Sequence, residues 1–65
     1  MDFSYQKYVA LRDEKGVSDY RVATESEVNQ STFSDWKSGR SKPKLEKLAK
    51  IARYFGVPIE HFLEE

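Results

Sequence analysis

Gln30, Ser31, Ser34 and Asp35 stand close together in a stretch whose only apolar residues are Phe33 and Trp36. Glutamine can pair bidentately with adenine, serine can meet several base edges, and an aspartate can accept from the amino group of cytosine. A helix face that only meets water more often carries Glu and Lys, which favour both helix and solubility. Ser31 and Thr32 have a simpler explanation in helix capping. Gln30 and Ser34 have none. A basic segment follows directly: Lys37, Arg40, Lys42, Lys44, Lys47, Lys50 and Arg53, against the single acid Glu46. Ser18, Lys37, Ser38, Arg40, Lys42 and Lys44 are the candidates for holding a phosphate backbone. Lys47, Lys50 and Arg53 recur every three residues and read as a solvated helix face.

The whole chain has a formal net charge of +0, which argues at first against a polyanionic partner. The distribution of charge says more than the total, because the local field decides where phosphates sit. The chain is acidic before Trp36, basic from Lys37 to Arg53 and acidic again at Glu60, Glu64 and Glu65.

Other chemistry is excluded by residue types. The absence of cysteine removes disulfides and thiolate metal sites and fits a reducing cytoplasm. His61 is the lone histidine and reads as a partly exposed helix residue, not a ligand. No glycine-rich phosphate loop or catalytic constellation is present, so no enzyme activity, cofactor or small-molecule ligand is expected. No apolar run approaches the roughly 20 residues needed to cross a membrane. Met1 to Tyr5 has neither the basic nor the apolar region of a signal peptide.

The elements that must position these residues are short helices. Tyr5, Tyr8 and Val9 have helical spacing, and Lys15-Gly16 ends that helix. Ser18 is the next N-cap candidate, ahead of a helix from about Asp19 to Glu25 that buries some of Tyr20, Val22 and Ala23. Asn29 is an N-cap candidate whose side chain can accept from Ser31 or Thr32. The helix it opens runs from Gln30 to about Lys37, with Phe33 and Trp36 on its inner face and Gly39 at its end. Leu45, Leu48, Ile51, Ala52 and Phe55 define a fourth helix ending at Gly56. Pro58 opens a fifth, from Ile59 to about Leu63. At 65 residues the expectation is one all-α domain of five helices, residues 1–65. Ala23 is small where the second and third helices must meet, and Val28 can plug the corner between them. This is the layout of a helix-turn-helix formed by the second and third helices.

The stretch from Leu11 to Leu63 resembles the lambda-repressor/Cro (XRE-type) helix-turn-helix family. The matching residues are Gly16-Val17-Ser18, Val22-Ala23, Val28 through Trp36, Lys37-Ser38-Gly39, Lys42-Pro43, Leu45-Glu46-Lys47-Leu48, Ile51-Ala52 and Tyr54-Phe55-Gly56-Val57. The resemblance implies a five-helix fold and a bacterial or phage regulator of transcription, mostly repressors. Such a protein binds double-stranded DNA, with the helix from Gln30 in the major groove. Three positions depart from the family pattern. Glu27 stands where glycine is common, Asp19 where a phosphate-binding Gln is common, and Asp35 where a basic or amide residue is common. Asp19, Asp35 and the neutral total charge suit a competing reading, a protein-interaction module on the same fold. Ile59, Phe62 and Leu63 are expected to leave apolar surface for a two-fold contact between copies, giving a homodimer at least on DNA.

Overall fold

The computed structural model describes residues 3–63. Four α-helices, α1 (Tyr5–Lys15), α2 (Asp19–Ser26), α3 (Gln30–Ser38) and α4 (Leu45–Phe55), are followed by one 3₁₀ turn, Ile59–Phe62. The expected fifth helix is thus a 3₁₀ turn of four residues, shorter and tighter than an α-helix. Among the described residues the only β-type pairing is an isolated antiparallel bridge between Phe3 and Leu63.

Each helix begins and ends for a local reason. The Ser4 and Ser18 hydroxyls accept from the amides of Lys7 and Arg21 at 3.3 and 3.1 Å, capping α1 and α2. Asn29 occupies the N-cap of α3, but its side chain makes no capping bond; its backbone carbonyl takes the Thr32 amide instead. Gly16, Gly39 and Gly56 close α1, α3 and α4 with positive φ. Glu27 closes α2 in the same left-handed conformation, at φ 61°, and is the sole described non-glycine residue to do so. The corner holds its shape because the Val28 amide bonds the Ala23 carbonyl at 3.0 Å and Val28 is buried.

Tyr8, Val22, Ala23, Val28, Phe33, Trp36, Leu48, Ile51, Ala52 and Phe62 form the core. Its centre is aromatic: the Tyr8 ring stacks on Phe33 at 4.9 Å and on Trp36 at 5.5 Å between centroids. Two residues expected in the apolar stripes lie outside it. Tyr20 is 66% exposed, on the far side of α2 from Val22, Ala23 and Ser26, and Leu45 is 62% exposed in the first turn of α4. The chain ends are tied together beneath α3. The Ser4 amide donates to the Phe62 carbonyl at 2.7 Å, Lys7 Nζ to the Leu63 carbonyl at 2.7 Å, and Trp36 Nε1 to the Phe3 carbonyl at 3.2 Å.

These ties correct the reading of the last turn. Phe62 is fully buried and packs edge-on against Trp36, so it closes the core and is not available to a second copy. Ile59 and Leu63 are half-buried. Phe62→Ala is therefore expected to cost about 3–5 kcal/mol of stability in urea unfolding. Glu27→Gly acts in the opposite direction. The left-handed conformation costs a side-chain-bearing residue roughly 1–2 kcal/mol, and glycine forfeits about 0.5–1 kcal/mol of chain entropy. The net expectation is a gain of about 0.5–1 kcal/mol, read as a melting temperature higher by a few degrees.

Candidate nucleic-acid interface

At about 3.6 residues per turn, Ser31, Ser34, Asp35 and Ser38 lie opposite Phe33 and Trp36 on α3. Gln30 and Lys37 share one edge of that outer face and Thr32 marks the other. Solvent exposure follows this geometry: Gln30, Ser31, Ser34, Lys37 and Ser38 are exposed, Thr32 and Asp35 are partly covered, and Phe33 and Trp36 are buried. The outer surface of α3 is thus short, polar and uninterrupted by apolar groups.

The loop after α3 is held tightly. The Asp35 carbonyl accepts from the Arg40 amide at 3.0 Å, the Ser41 amide at 3.4 Å and the Ser38 hydroxyl at 3.1 Å. This brings the basic segment back alongside the helix. A shallow pocket of about 260 Å³ between α3 and α4 is lined by Thr32 and Asp35 on one side and by Lys42, Lys44 and Lys47 on the other. Lys47 therefore joins the interface flank. Lys50 and Arg53 instead line a separate cleft with Glu25, Glu27 and Tyr54. Ser18 is exposed at the start of α2, with its hydroxyl oxygen already accepting the Arg21 amide. Arg40, Lys42 and Lys44 are all exposed, and Lys44 is the N-cap residue of α4.

Asp19 has a role that sequence reasoning missed. Its carboxylate accepts from the Tyr8 hydroxyl at 2.6 Å and pairs with the Arg12 guanidinium at 3.0 Å. Arg12 also bonds Asp13 at 3.0 Å. Tyr8 and Arg12 stand one helical turn apart on α1, and an acid in the first turn of α2 complements the helix dipole. That spacing was the available signal. Burial and then the bond to Asp19 push the Tyr8 hydroxyl well above the usual tyrosine range. The bond to Asp19 likewise holds the Arg12 guanidinium above its ordinary value. On the α2–α4 side Tyr54 donates to Glu25, which Arg21 also meets at 3.2 Å. The Tyr54 bond, then the Arg21 bond, lower the Glu25 carboxyl, and the same bond raises Tyr54.

Among the described residues no group of His, Asp or Glu could hold a metal ion, and no helix is long and apolar enough to cross a membrane.

The pattern of the helix-turn-helix family matches residues 10–62. The chain belongs to the XRE-type helix-turn-helix family. It is similar, at 33% identity over 55 residues, to the cryptic phage CTXphi transcriptional repressor RstR of Vibrio cholerae, covering 85% of this chain and 50% of that protein. It is also 32% identical over 63 residues to the HTH-type transcriptional activator BcrR of Enterococcus faecalis, covering 97% of this chain and 30% of that protein. The crystal structure of a transcriptional regulator from Listeria innocua superposes with a TM-score of 0.74 at 26% identity, over 100% of this chain and 64% of that one. This helix-turn-helix chain therefore spans half or less of the length of those curated relatives.

The Tyr8–Asp19 tie yields a pair of expectations for this helix-turn-helix domain. Tyr8→Phe and Asp19→Ala should each destabilise by about 1–3 kcal/mol, and the double variant by clearly less than the sum. Additive losses would remove the coupling. Because Tyr8 is raised above its ordinary 10.0, its contribution is complete at lower pH and is lost as pH rises past that value. Unfolding free energy should fall above about pH 10, and Tyr8→Phe should flatten part of that fall.

Proposed function

We propose that this chain is a sequence-specific, double-stranded DNA-binding regulator of transcription that reads the major groove with α3. The observation that carries the proposal is the outer face of α3. It is polar along its whole length, backed by buried Phe33 and Trp36 and flanked by Lys42, Lys44 and Lys47. Gln30, Ser31, Ser34 and Asp35 meet base edges, and Ser18, Lys37, Ser38, Arg40, Lys42 and Lys44 meet phosphates. Occupying a site is all that repression requires of such a domain, so the role is that of a repressor in the cytoplasm of a bacterium, encoded by its genome or by a phage.

The acids that suited a protein-interaction module have partners within the fold. Asp19 is taken up by Tyr8 and Arg12, and Asp35 lies 3.9 Å from Arg40. Their charges are therefore no separate argument against a phosphate backbone.

Two copies on a two-fold site would set their α3 helices one turn of DNA apart, roughly 34 Å. With Phe62 buried, the half-exposed Ile59 and Leu63 supply what apolar surface the last turn offers to that contact.

Selection of bound sequences from a random duplex pool, followed by salt titration, tests the reading. Affinity for any duplex should fall steeply with salt. Gln30→Ala should cost about 1–3 kcal/mol on the selected site and relax preference at one base pair, with thermal stability unchanged. Lys42→Ala with Lys44→Ala should weaken all sequences alike and flatten the log–log salt slope by about 1–2 units. Equal affinity of the Gln30 variant and wild type across single-base changes would remove Gln30 from the readout. Sedimentation at saturation should give two protomers per duplex, and one per duplex would remove the dimer.

A further inference from the structure

Asp35 and Arg40 present an unusual pair on a surface that faces a polyanion. The carboxylate lies on the outer face of α3, with Arg40 Nη1 3.9 Å from its Oδ1. Their proximity is built into the backbone: the Arg40 amide bonds the Asp35 carbonyl at 3.0 Å and the Ser38 hydroxyl at 3.4 Å. Arg40 is thereby pinned at the C-terminal end of α3. Its side chain stays 79% exposed while that of Asp35 is 37% exposed. The guanidinium has room to leave the carboxylate, and the carboxylate has nowhere to go.

We propose that Asp35 engages Arg40 until a matching base pair takes the carboxylate, so that the pair sets selectivity between DNA sites. This rests on the reading that α3 enters the major groove. An ionised carboxylate only accepts hydrogen bonds. Opposite the amino group of cytosine it finds a donor. Opposite the O6 and N7 of guanine or the O4 of thymine it finds only acceptors. On a mismatched site Arg40 is the sole cation that can answer the Asp35 charge, and it makes no phosphate contact. On a matched site the amino group answers that charge, and Arg40 turns to the backbone. An exposed pair at this distance is weak enough for either ligand to displace it.

The salt dependence of binding counts phosphates neutralised and so reports where Arg40 is. Wild type, Asp35→Asn, Arg40→Ala and the double variant are titrated by fluorescence anisotropy on the selected duplex and on a random-sequence duplex. The Asp35 carbonyl, and not its carboxylate, takes the loop bonds, so Asp35→Asn leaves the loop in place.

On the selected duplex, Arg40→Ala should flatten the slope by about one unit. On the random duplex it should change nothing while Asp35 is present, and flatten the slope by about one unit once Asp35 is Asn. Asp35→Asn should raise affinity for the random duplex about three- to ten-fold and lower the ratio of selected to random binding. Equal flattening by Arg40→Ala on both duplexes with Asp35 present would make Arg40 a plain phosphate contact and overturn the pair. No flattening on either duplex would overturn it too. In both cases binding by the wild type leaves the DNA-binding reading standing. A wild type that binds no duplex at any salt removes that reading and the pair with it.

Discussion

The position of α3 depends on Tyr8. Its ring is fully buried against Phe33 and Trp36, the two residues that anchor α3, and its hydroxyl bonds Asp19 at the first turn of α2. One side chain of α1 thus touches both helices of the helix-turn-helix. Each aromatic contact is worth about 0.5–1.5 kcal/mol beyond area burial, and a hydrogen bond to a charged group about 1.5–3 kcal/mol. In a chain of 65 residues with no disulfide, those are large shares of the stability a small core provides. The ties of Trp36 to Phe3 and of Ser4 to Phe62 complete the frame by drawing both chain ends under α3.

Fixing α3 from behind leaves its front free of structural duty. Phe33 and Trp36 supply the packing, and Gly39 with the Asp35 carbonyl supplies the C-terminal cap. None of Gln30, Ser31 or Ser34 forms part of the core. A face that can change without cost to the fold suits sequence reading, because specificity is then altered without unfolding the domain. The capping glycine also turns the chain sharply, so the cations after it return to the side of the same helix.

The acids mark the difference between charge in a sequence and charge in a fold. Asp19 and Asp35 read as repulsive to phosphate when only the chain order is considered. Folded, Asp19 faces a guanidinium and a buried hydroxyl, and Asp35 faces Arg40. Lys47 moved in the other direction. Its three-residue spacing with Lys50 and Arg53 suggested one solvated row, yet it lines the α3 pocket while the other two face Glu25 and Glu27. Three-residue steps drift around a helix of about 3.6 residues per turn, so such a row divides between neighbours.

Residue order alone determined whatever is local. The Ser4 cap escaped notice, but the Ser18 cap, the glycine stops, the inner pair Phe33 and Trp36, and the polar front of α3 follow from spacing and backbone chemistry within a few residues. The left-handed turn at Glu27 follows from the family pattern, where glycine is common. Tertiary structure decided whatever joins distant segments: the Tyr8–Asp19–Arg12 tie, the burial of Phe62 under Trp36, the shortening of the last helix to a 3₁₀ turn, and the exposure of Tyr20 and Leu45. The reason is physical. Helical periodicity ranks positions around one axis, but how deeply a position is buried, and which charge meets which, depends on the crossing of other helices.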